Sequence, residues 1–286
     1  MAALPAALRT PQASRPTAAA PRPRRLAARA AAFSAPPPPK FAKPTLFDIP
    51  ISNCSARIRC LIYSLGLEDE IAIAAPATLG GVKSEEYRGF VNPLGKMPAL
   101  ALPRGAPLFE SAVIEGYLLD LHGAGSALVP ASPAGRARAA LAARIHDVEI
   151  VPVQGAMYKP MEAAERLAKL AQIAGALDAL EWHLNQSSFG PLTGDDGAAS
   201  WADGALAPTF VFLTRILPRH FGWRSVFTGR PRLEAWWAAV QREAPIARVV
   251  AEMDAALVGW EEAKRWETTG VAAQVADAAV DWTLGN

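Results

Sequence analysis

Cysteine is scarce. The 286-residue chain has two, Cys54 and Cys60, too few for a disulfide framework or a four-cysteine zinc site. Histidine is nearly as rare, and His122, His146, His183 and His220 show no ligand spacing, so no metal is expected. No run of about 18 uninterrupted apolar residues occurs, so no membrane-spanning helix is expected. A G-x-S-x-G elbow, a P-loop and a dinucleotide fingerprint are all missing, and Gly123-Ala124-Gly125 lacks both the third glycine and a preceding strand. Acidic residues are absent from residues 1–40, which hold Arg9, Arg15, Arg22, Arg24, Arg25, Arg29 and Lys40. The net charge of +2 therefore belongs to that leader. Beyond it 22 basic residues face 27 acidic ones, a balance of −5. A mildly acidic body offers no footprint for nucleic acid.

What is present is an ordinary globular mixture, 51% hydrophobic and 20% charged, able to bury a sizeable core without covalent staples. The leader is different. Fourteen of its forty residues are alanine and nine are proline, including Pro36-Pro37-Pro38-Pro39, and prolines at this density break helices. An arginine-rich, acid-free leader without an uncharged apolar core reads as an organelle transit peptide rather than a secretory signal. A disordered tail of biased composition is the alternative. The alanine and proline richness points to a plastid, with a mitochondrion or the cytoplasm as alternatives, and cleavage is expected near residues 30–35.

From Thr45 onward the pattern is that of a folded chain. Residues 45–49 form a strand candidate. Residues 54–65 carry Ile58, Leu61, Ile62 and Leu65 at helical spacing, and Gly66 suits a stop. Residues 70–74 alternate and end at Pro76, as a strand does. Ser84 caps a short helix over 84–91. Residues 99–102 and 108–109 flank the turn Pro103-Arg104-Gly105-Ala106-Pro107, which predicts a hairpin. A helix over 111–121 follows, closed by Gly123. The order β-α-β-α-β-β-α implies a mixed sheet covered by helices. After a linker over 123–133, helices are expected over 134–157 (kinked at Pro152), 161–184, 200–217, 232–242 and 246–260, with a loop over 187–197. The segment 267–286 gives weak structure signals. No internal repeat is seen.

Three segments carry the chemistry. In Ile51-Ser52-Asn53-Cys54-Ser55-Ala56-Arg57-Ile58-Arg59 a strand hands over to a helix. Asn92-Pro93-Leu94-Gly95-Lys96-Met97-Pro98 precedes the hairpin, and Leu108-Phe109-Glu110-Ser111 opens a helix. In this order and spacing they resemble the glutathione transferase superfamily, and the first is similar to the Ser-Ser-Cys-Ser-x-Arg-Val-Arg run of its zeta class. With its leader the chain looks like a plant or algal member. The resemblance covers residues 45–260. It implies an α/β thioredoxin-like domain over 44–122, an all-α domain over 132–262 and a tail over 267–286. It also implies a detoxifying enzyme that joins glutathione, as co-substrate and without a further cofactor, to a small electrophile. A homodimer is implied as well. A glutathione-dependent cis–trans isomerase and a non-catalytic ligand carrier are the alternatives.

The physical logic is thiol activation. A free thiol with a pKa of about 8.5 is mostly protonated at neutral pH, and the positive end of a helix favours its thiolate. The resemblance assigns the activating hydroxyl to Ser52; by position alone Ser52 is a helix cap. Cys54 is the rival, since a cysteine at a helix start can itself be reactive. In thiol-transferring classes the nucleophilic cysteine occupies the Ser52 position, so disulfide exchange is not expected here. Asn53 departs from the zeta pattern, which has serine, and Cys60 reads as core. The resemblance implies that Pro98 is cis and that the Met97 backbone pairs with glutathione as an added strand would; an ordinary trans proline is the plain alternative. Glu110 and Ser111 suit the γ-glutamyl end, or simply cap a helix. Lys83 and Lys96 suit the glycyl carboxylate, or are solvated. Tyr158 belongs to the acceptor pocket or to the core. Ser200 and Asp203 make a structural capping box, and Arg57 and Arg59 are expected in structural pairs. Apolar residues on two faces of the helix over 111–121 leave one face for the partner in a C2 dimer.

Overall fold

The computed structural model describes residues 41–186, 190 and 192–286. The leader expected over 1–40 and parts of the loop expected over 187–197 lie outside the described residues.

Four short strands, β1 (Thr45–Phe47), β2 (Ala72–Ala74), β3 (Ala99–Ala101) and β4 (Leu108–Phe109), form one sheet in the order β2-β1-β3-β4. β1 and β2 are parallel, and the other two pairs are antiparallel. Parallel neighbours need a crossover, which α1 (Asn53–Ser64) supplies. α2 (Glu85–Phe90) stands between β2 and β3, and α3 (Ser111–His122) follows β4. This is the expected thioredoxin-like order. Successive strand residues face opposite sides. Leu46 and Leu100 therefore meet Ile58, Leu61, Ile62, Ile114 and Leu118 of α1 and α3, while Phe47, Ala99 and Ala101 meet Leu79, Tyr87 and Val91 across the sheet. Each large side chain so buried contributes about 1.5–3 kcal/mol.

The remainder is helical: α4 (Pro133–Ile145), α5 (Ala163–Asn185), α6 (Trp201–Phe221), α7 (Pro231–Val240), α8 (Ala244–Glu262), α9 (Arg265–Thr268) and α10 (Val271–Val275). α6 is the buried axis, with Phe210, Phe212 and Phe221 in a core that also holds Trp223, Trp236 and Trp266. Ser200 and Asp203 form the expected capping box. Buried Asp203 does more than cap: it accepts from Ser200 N at 2.8 Å, Thr193 Oγ1 at 2.8 Å and Trp236 Nε1 at 2.7 Å. One carboxylate thereby ties the chain before α6 to α7. α1 serves both halves, because Ala56 and Cys60 point away from the sheet into the helical core. A Cβ on Gly204 of α6 would stand 3.0 Å from Cys60 Cβ, so a side chain there would press on Cys60 at the close α1–α6 crossing.

Two segments depart from the expectation. The helix over 134–157 is not continuous. α4 ends at Ile145, a wider turn covers His146–Ile150 with Val151 N bonded to His146 O at 3.0 Å, and a single tight turn covers Gln154–Met157. The break starts ahead of Pro152, whose missing N–H cannot extend the regular ladder. The tail, with its weak signals, is packed on the helical core. Trp266 Nε1 donates to Met157 O at 2.9 Å, Trp223 Nε1 to Trp282 O at 3.0 Å, and Arg230 Nη1 to Asn286 Oδ1 at 2.8 Å. Isolated anchors such as Trp266, Val271 and Trp282 leave no periodic trace in a sequence.

Removing the Asp203 carboxylate strands several buried donors at once. Asp203→Ala is expected to cost roughly 3 kcal/mol or more, read as a lower urea midpoint. A midpoint within error of the wild type would refute this role.

Candidate active site

Ser52 is the N-cap of α1, with extended backbone angles. Its Oγ accepts from Ser55 N at 3.3 Å and from the Ser55 hydroxyl at 3.0 Å. With its oxygen so occupied, the Ser52 proton is left to donate outward. Among the described residues the N–H groups of Asn53 and Cys54 have no partner, as expected at a helix start. A hydroxyl donor and free amides thus converge at the positive end of a twelve-residue helix. Capping and anion stabilisation are both open to Ser52, because they use different sites on its oxygen.

The departure at Asn53 has a structural reason. Its Nδ2 donates to Gln154 Oε1 at 2.9 Å and Thr209 Oγ1 at 2.7 Å, and its Oδ1 accepts from Gln154 Nε2 at 3.1 Å. Thr209 Oγ1 also bonds His146 Nε2 at 2.7 Å, and His146 Nδ1 stands 2.9 Å from Asp147 Oδ1. Asp147 in turn grips Arg57 at 2.9 and 3.0 Å, and Arg57 holds Glu115 at 2.8 and 2.5 Å. One continuous buried network therefore binds the start of α1 to α3, α6 and the turn after α4. Of this set the sequence points only to Arg57 as a member of a structural pair; it marks Asn53 and His146 without partners. Glu115, Thr209, Gln154 and the neighbours His146 and Asp147 come from four separate elements and carry no local motif.

Cys54 is half-buried beside this network. Burial pushes its thiol up to about 11; Arg57 opposes the rise, and Asp147 and Glu110 add to it. Such a thiol is protonated at neutral pH, the reverse of the electropositive setting that makes a reactive cysteine. The Cys60 thiol is also raised by burial.

The Met97–Pro98 peptide is cis, as the resemblance implied. Among the described residues neither Met97 N–H nor its C=O has a partner. The turn ahead of it is pinned: Tyr87 Oη and Asn92 Nδ2 both donate to Lys96 O at 2.9 Å. Lys83 Nζ donates to Gly95 O at 3.1 Å, so it also has a structural partner, while the Lys96 side chain is exposed. Glu110 sits at φ 69 and ψ 118, a costly conformation for a residue with a Cβ. It presents the first amides of α3, those of Ser111 and Ala112, without partners among the described residues. Glu110 lies within electrostatic reach of Cys54, so the α3 and α1 starts share one neighbourhood. Tyr158 belongs to the helical core: its ring packs on Phe212 and Trp260 at centroid distances of 5.7 and 5.1 Å. It is buried there and lies within electrostatic reach of Cys54. Among the described residues no cluster of three or more His, Cys, Asp or Glu suits a metal, and no helix is long and apolar enough to cross a membrane.

Comparison with known proteins bears directly on this arrangement. Residues 51–121 match the family model "Glutathione S-transferase, N-terminal domain", and residues 138–239 match "Glutathione S-transferase, C-terminal domain". The chain belongs to the glutathione transferase family. It is 26% identical over 213 residues to "Glutathione S-transferase PM239X14" of Arabidopsis thaliana, covering 70% of this chain and 92% of that one. It is 29% identical over 168 residues to "Maleylacetoacetate isomerase" of Rattus norvegicus, covering 58% and 76%. Among solved structures, a rice glutathione transferase in complex with glutathione superposes with a TM-score of 0.61 at 25% identity, covering 78% of this chain and 100% of that one. Glutathione S-transferase III in its apo form gives 0.59 at 25% identity, covering 73% and 96%. These relatives do not assign the chain to the zeta class that its first-helix motif resembles.

The buried network has a pH signature. Burial lowers the pKa of His146 below its ordinary 6.5, with Asp147 opposing. Below about pH 6.5 the unfolded chain then binds more protons than the native one, so stability falls as pH falls, by at most about 1.4 kcal/mol per pH unit. His146→Gln, compared with the wild type by urea unfolding between pH 7.5 and 5.5, should show a shallower fall. Parallel curves would remove His146 as the source.

Proposed function

We propose that the protein conjugates the thiolate of glutathione to small, electrophilic, partly apolar acceptors, with glutathione as co-substrate and no further cofactor. The observation that carries this is the Ser52 hydroxyl at the α1 start, its oxygen engaged by Ser55 and its proton free for a sulfur anion. Met97 offers an unpaired N–H and C=O for the cysteinyl backbone. Ser111 and Glu110, at the α3 start, face the γ-glutamyl end. Lys96 is the lysine left for the glycyl carboxylate. Ser52→Ala should raise the pKa of enzyme-bound glutathione by roughly one to two units, the worth of a charge-assisted hydrogen bond. Turnover should fall more than affinity. Thiolate absorbance of the binary complex against pH measures this, and an unchanged titration would sink the assignment.

A glutathione-dependent isomerase is the second reading. It is favoured by the Ser52, Cys54, Ser55 and Arg57 pattern and by the similarity to the rat isomerase. A protonated Cys54 thiol beside the sulfur site would assist proton movements without competing as nucleophile. Turnover of an aryl halide against that of a cis-enone separates the two, and binding without turnover of either would mark a carrier.

The same reading includes a C2 homodimer. Ile114 and Leu118 of α3 cover the sheet, while Val113 and Leu121 are 53% and 58% exposed. Leu141 of α4 is 46% exposed. A cleft of about 990 Å³ runs between α3 and α4, lined by Leu119, Asp120, Ala140 and Arg144. An apolar strip with charged margins suits a partner copy. Sedimentation of the full chain near micromolar concentration should show a dimer, and Leu121→Glu should shift it toward monomer; monomer throughout would refute the assembly. The acid-free leader supports plastid import, which residues 1–40 fused to a fluorescent reporter would test; diffuse cytosolic signal would count against it.

A further inference from the structure

The first turn of α1 has little of its own to hold it. It carries no acidic residue. Ser52 and Ser55 bond each other, and the cap bond from Ser55 N is long, at 3.3 Å. Helix ends fray when nothing ties them down. The side chain that ties this one to the helical half is Asn53, the immediate neighbour of Ser52, which is buried. It pairs reciprocally with Gln154, Nδ2 donating at 2.9 Å and Oδ1 accepting at 3.1 Å. Its Nδ2 also donates to Thr209 Oγ1 of α6 at 2.7 Å.

Buried Thr209 has one hydroxyl proton and two partners, Asn53 and His146 Nε2, each at 2.7 Å. The far end of the network decides where that proton goes. Asp147 is gripped by Arg57 through both carboxylate oxygens, and a carboxylate only accepts, so His146 presents an N–H at Nδ1. Burial would raise the Asp147 carboxyl, but His146 and Arg57 outweigh it and hold it below the usual carboxylate range. Burial lowers His146, with Asp147 opposing and Arg57 adding to the fall, so the ring is neutral at neutral pH. Its Nε2 is then an acceptor, and Thr209 donates to it. With its proton spent, Thr209 accepts from Asn53. That turns the Asn53 nitrogen toward α6 and leaves its oxygen for Gln154 Nε2. Each bond from Asp147 to the α1 start thus has one direction, and reversing any of them breaks another.

We propose that Asn53 is a positioning residue for the glutathione thiol: through its side chain, Thr209 and Gln154 hold the first turn of α1 so that the Ser52 proton and the first amides bear on the sulfur. This rests on the reading of Ser52 as the thiolate's hydrogen-bond donor. The Asn53 side chain touches no substrate in this scheme and acts through the peptide it shares with Ser52. A donor stabilises developing charge only while its aim is kept. A freed first turn would therefore give up thiolate without giving up glutathione, whose backbone has its own partners in the proposed site at Met97 and the α3 start.

The test is thiolate absorbance of the glutathione complex against pH, on the full chain. Asn53→Ala should raise the pKa of the bound thiol by roughly one unit and Thr209→Val by roughly half a unit, about tenfold and threefold less thiolate below the pKa. The glutathione Kd should change by less than about threefold. Thr209→Ser, which keeps the hydroxyl, should titrate as the wild type does. Asp203→Ala, destabilised through a different set of bonds, should leave the titration in place. Wild-type titrations in Asn53→Ala and Thr209→Val would overturn the proposal. So would a Thr209→Ser shift equal to that of Thr209→Val, or an Asp203→Ala shift as large as theirs, since packing or general loosening would then be the cause. If Ser52→Ala raises the pKa while the Asn53 and Thr209 variants match the wild type, only the positioning role falls. If Ser52→Ala changes nothing, the underlying reading falls and this proposal with it. Should Asn53→Ala and Thr209→Val not fold, Gln154→Met decides in their place: a rise of roughly half a unit supports the role, and a wild-type titration overturns it.

Discussion

The constraint on which this structure turns is that α1 is buried on every side. Its apolar residues Ile58, Leu61 and Ile62 cover the sheet, and Ala56 and Cys60 sit in the helical core. Asn53, Ser55, Arg57 and Arg59 are left out of water with no solvent-facing side to retreat to. Buried polar groups must find partners, and these do so across the molecule: Arg57 with Glu115 and Asp147, Arg59 with Glu252, and Asn53 with Gln154 and Thr209. Desolvation offsets much of the attraction in such ion pairs, so their value lies in fixing one arrangement more than in net stability. Removing one partner would leave the other charge buried and unmatched, which is why the arrangement holds.

That arrangement puts the reactive geometry in place. The α1 start is held at both faces, so the Ser52 hydroxyl and the free amides behind it stay fixed, as the proposed thiolate site would require. The α3 start is set up differently. Glu110 carries the local cost, at φ 69, and the two unpaired amides that follow are the return. The same packing acts on Cys54, whose thiol is pushed up by burial, with Asp147 and Glu110 adding to the rise and Arg57 opposing it. Full satisfaction is not reached everywhere in this region: Asp48 Oδ1 and Arg59 Nε are buried without a hydrogen-bond partner among the described residues.

Much of the fold was legible in the chain. The β2 segment alternates, α1 has apolar residues at helical spacing, Pro103 to Pro107 mark the hairpin, and Ser200 with Asp203 announces α6. These are signals between residues a few positions apart, where local backbone physics decides. Legibility failed where anchors stand alone. Trp266, Val271 and Trp282 tie the tail down singly, so no period betrays it. The turn over His146–Ile150 leaves no mark in the sequence, because no glycine or proline stands between Arg136 and Val151, although the backbone there widens. The packing of Tyr158 against Phe212 and Trp260 likewise has no local signal, because its partners lie far along the chain.

By itself the sequence determined the order of elements, the cap at Ser52, the Met97-Pro98 and Glu110-Ser111 segments and the family they resemble, because each depends on neighbours within a few residues. Only the tertiary structure decided what those residues experience. The ionisation of Cys54, the reason for Asn53 and the orphaned oxygen of Asp48 depend on burial and on charges brought in from positions up to about two hundred residues away, such as Glu252 against Arg59. Electrostatics in a low-dielectric interior acts through space, and spacing along the chain carries no record of it.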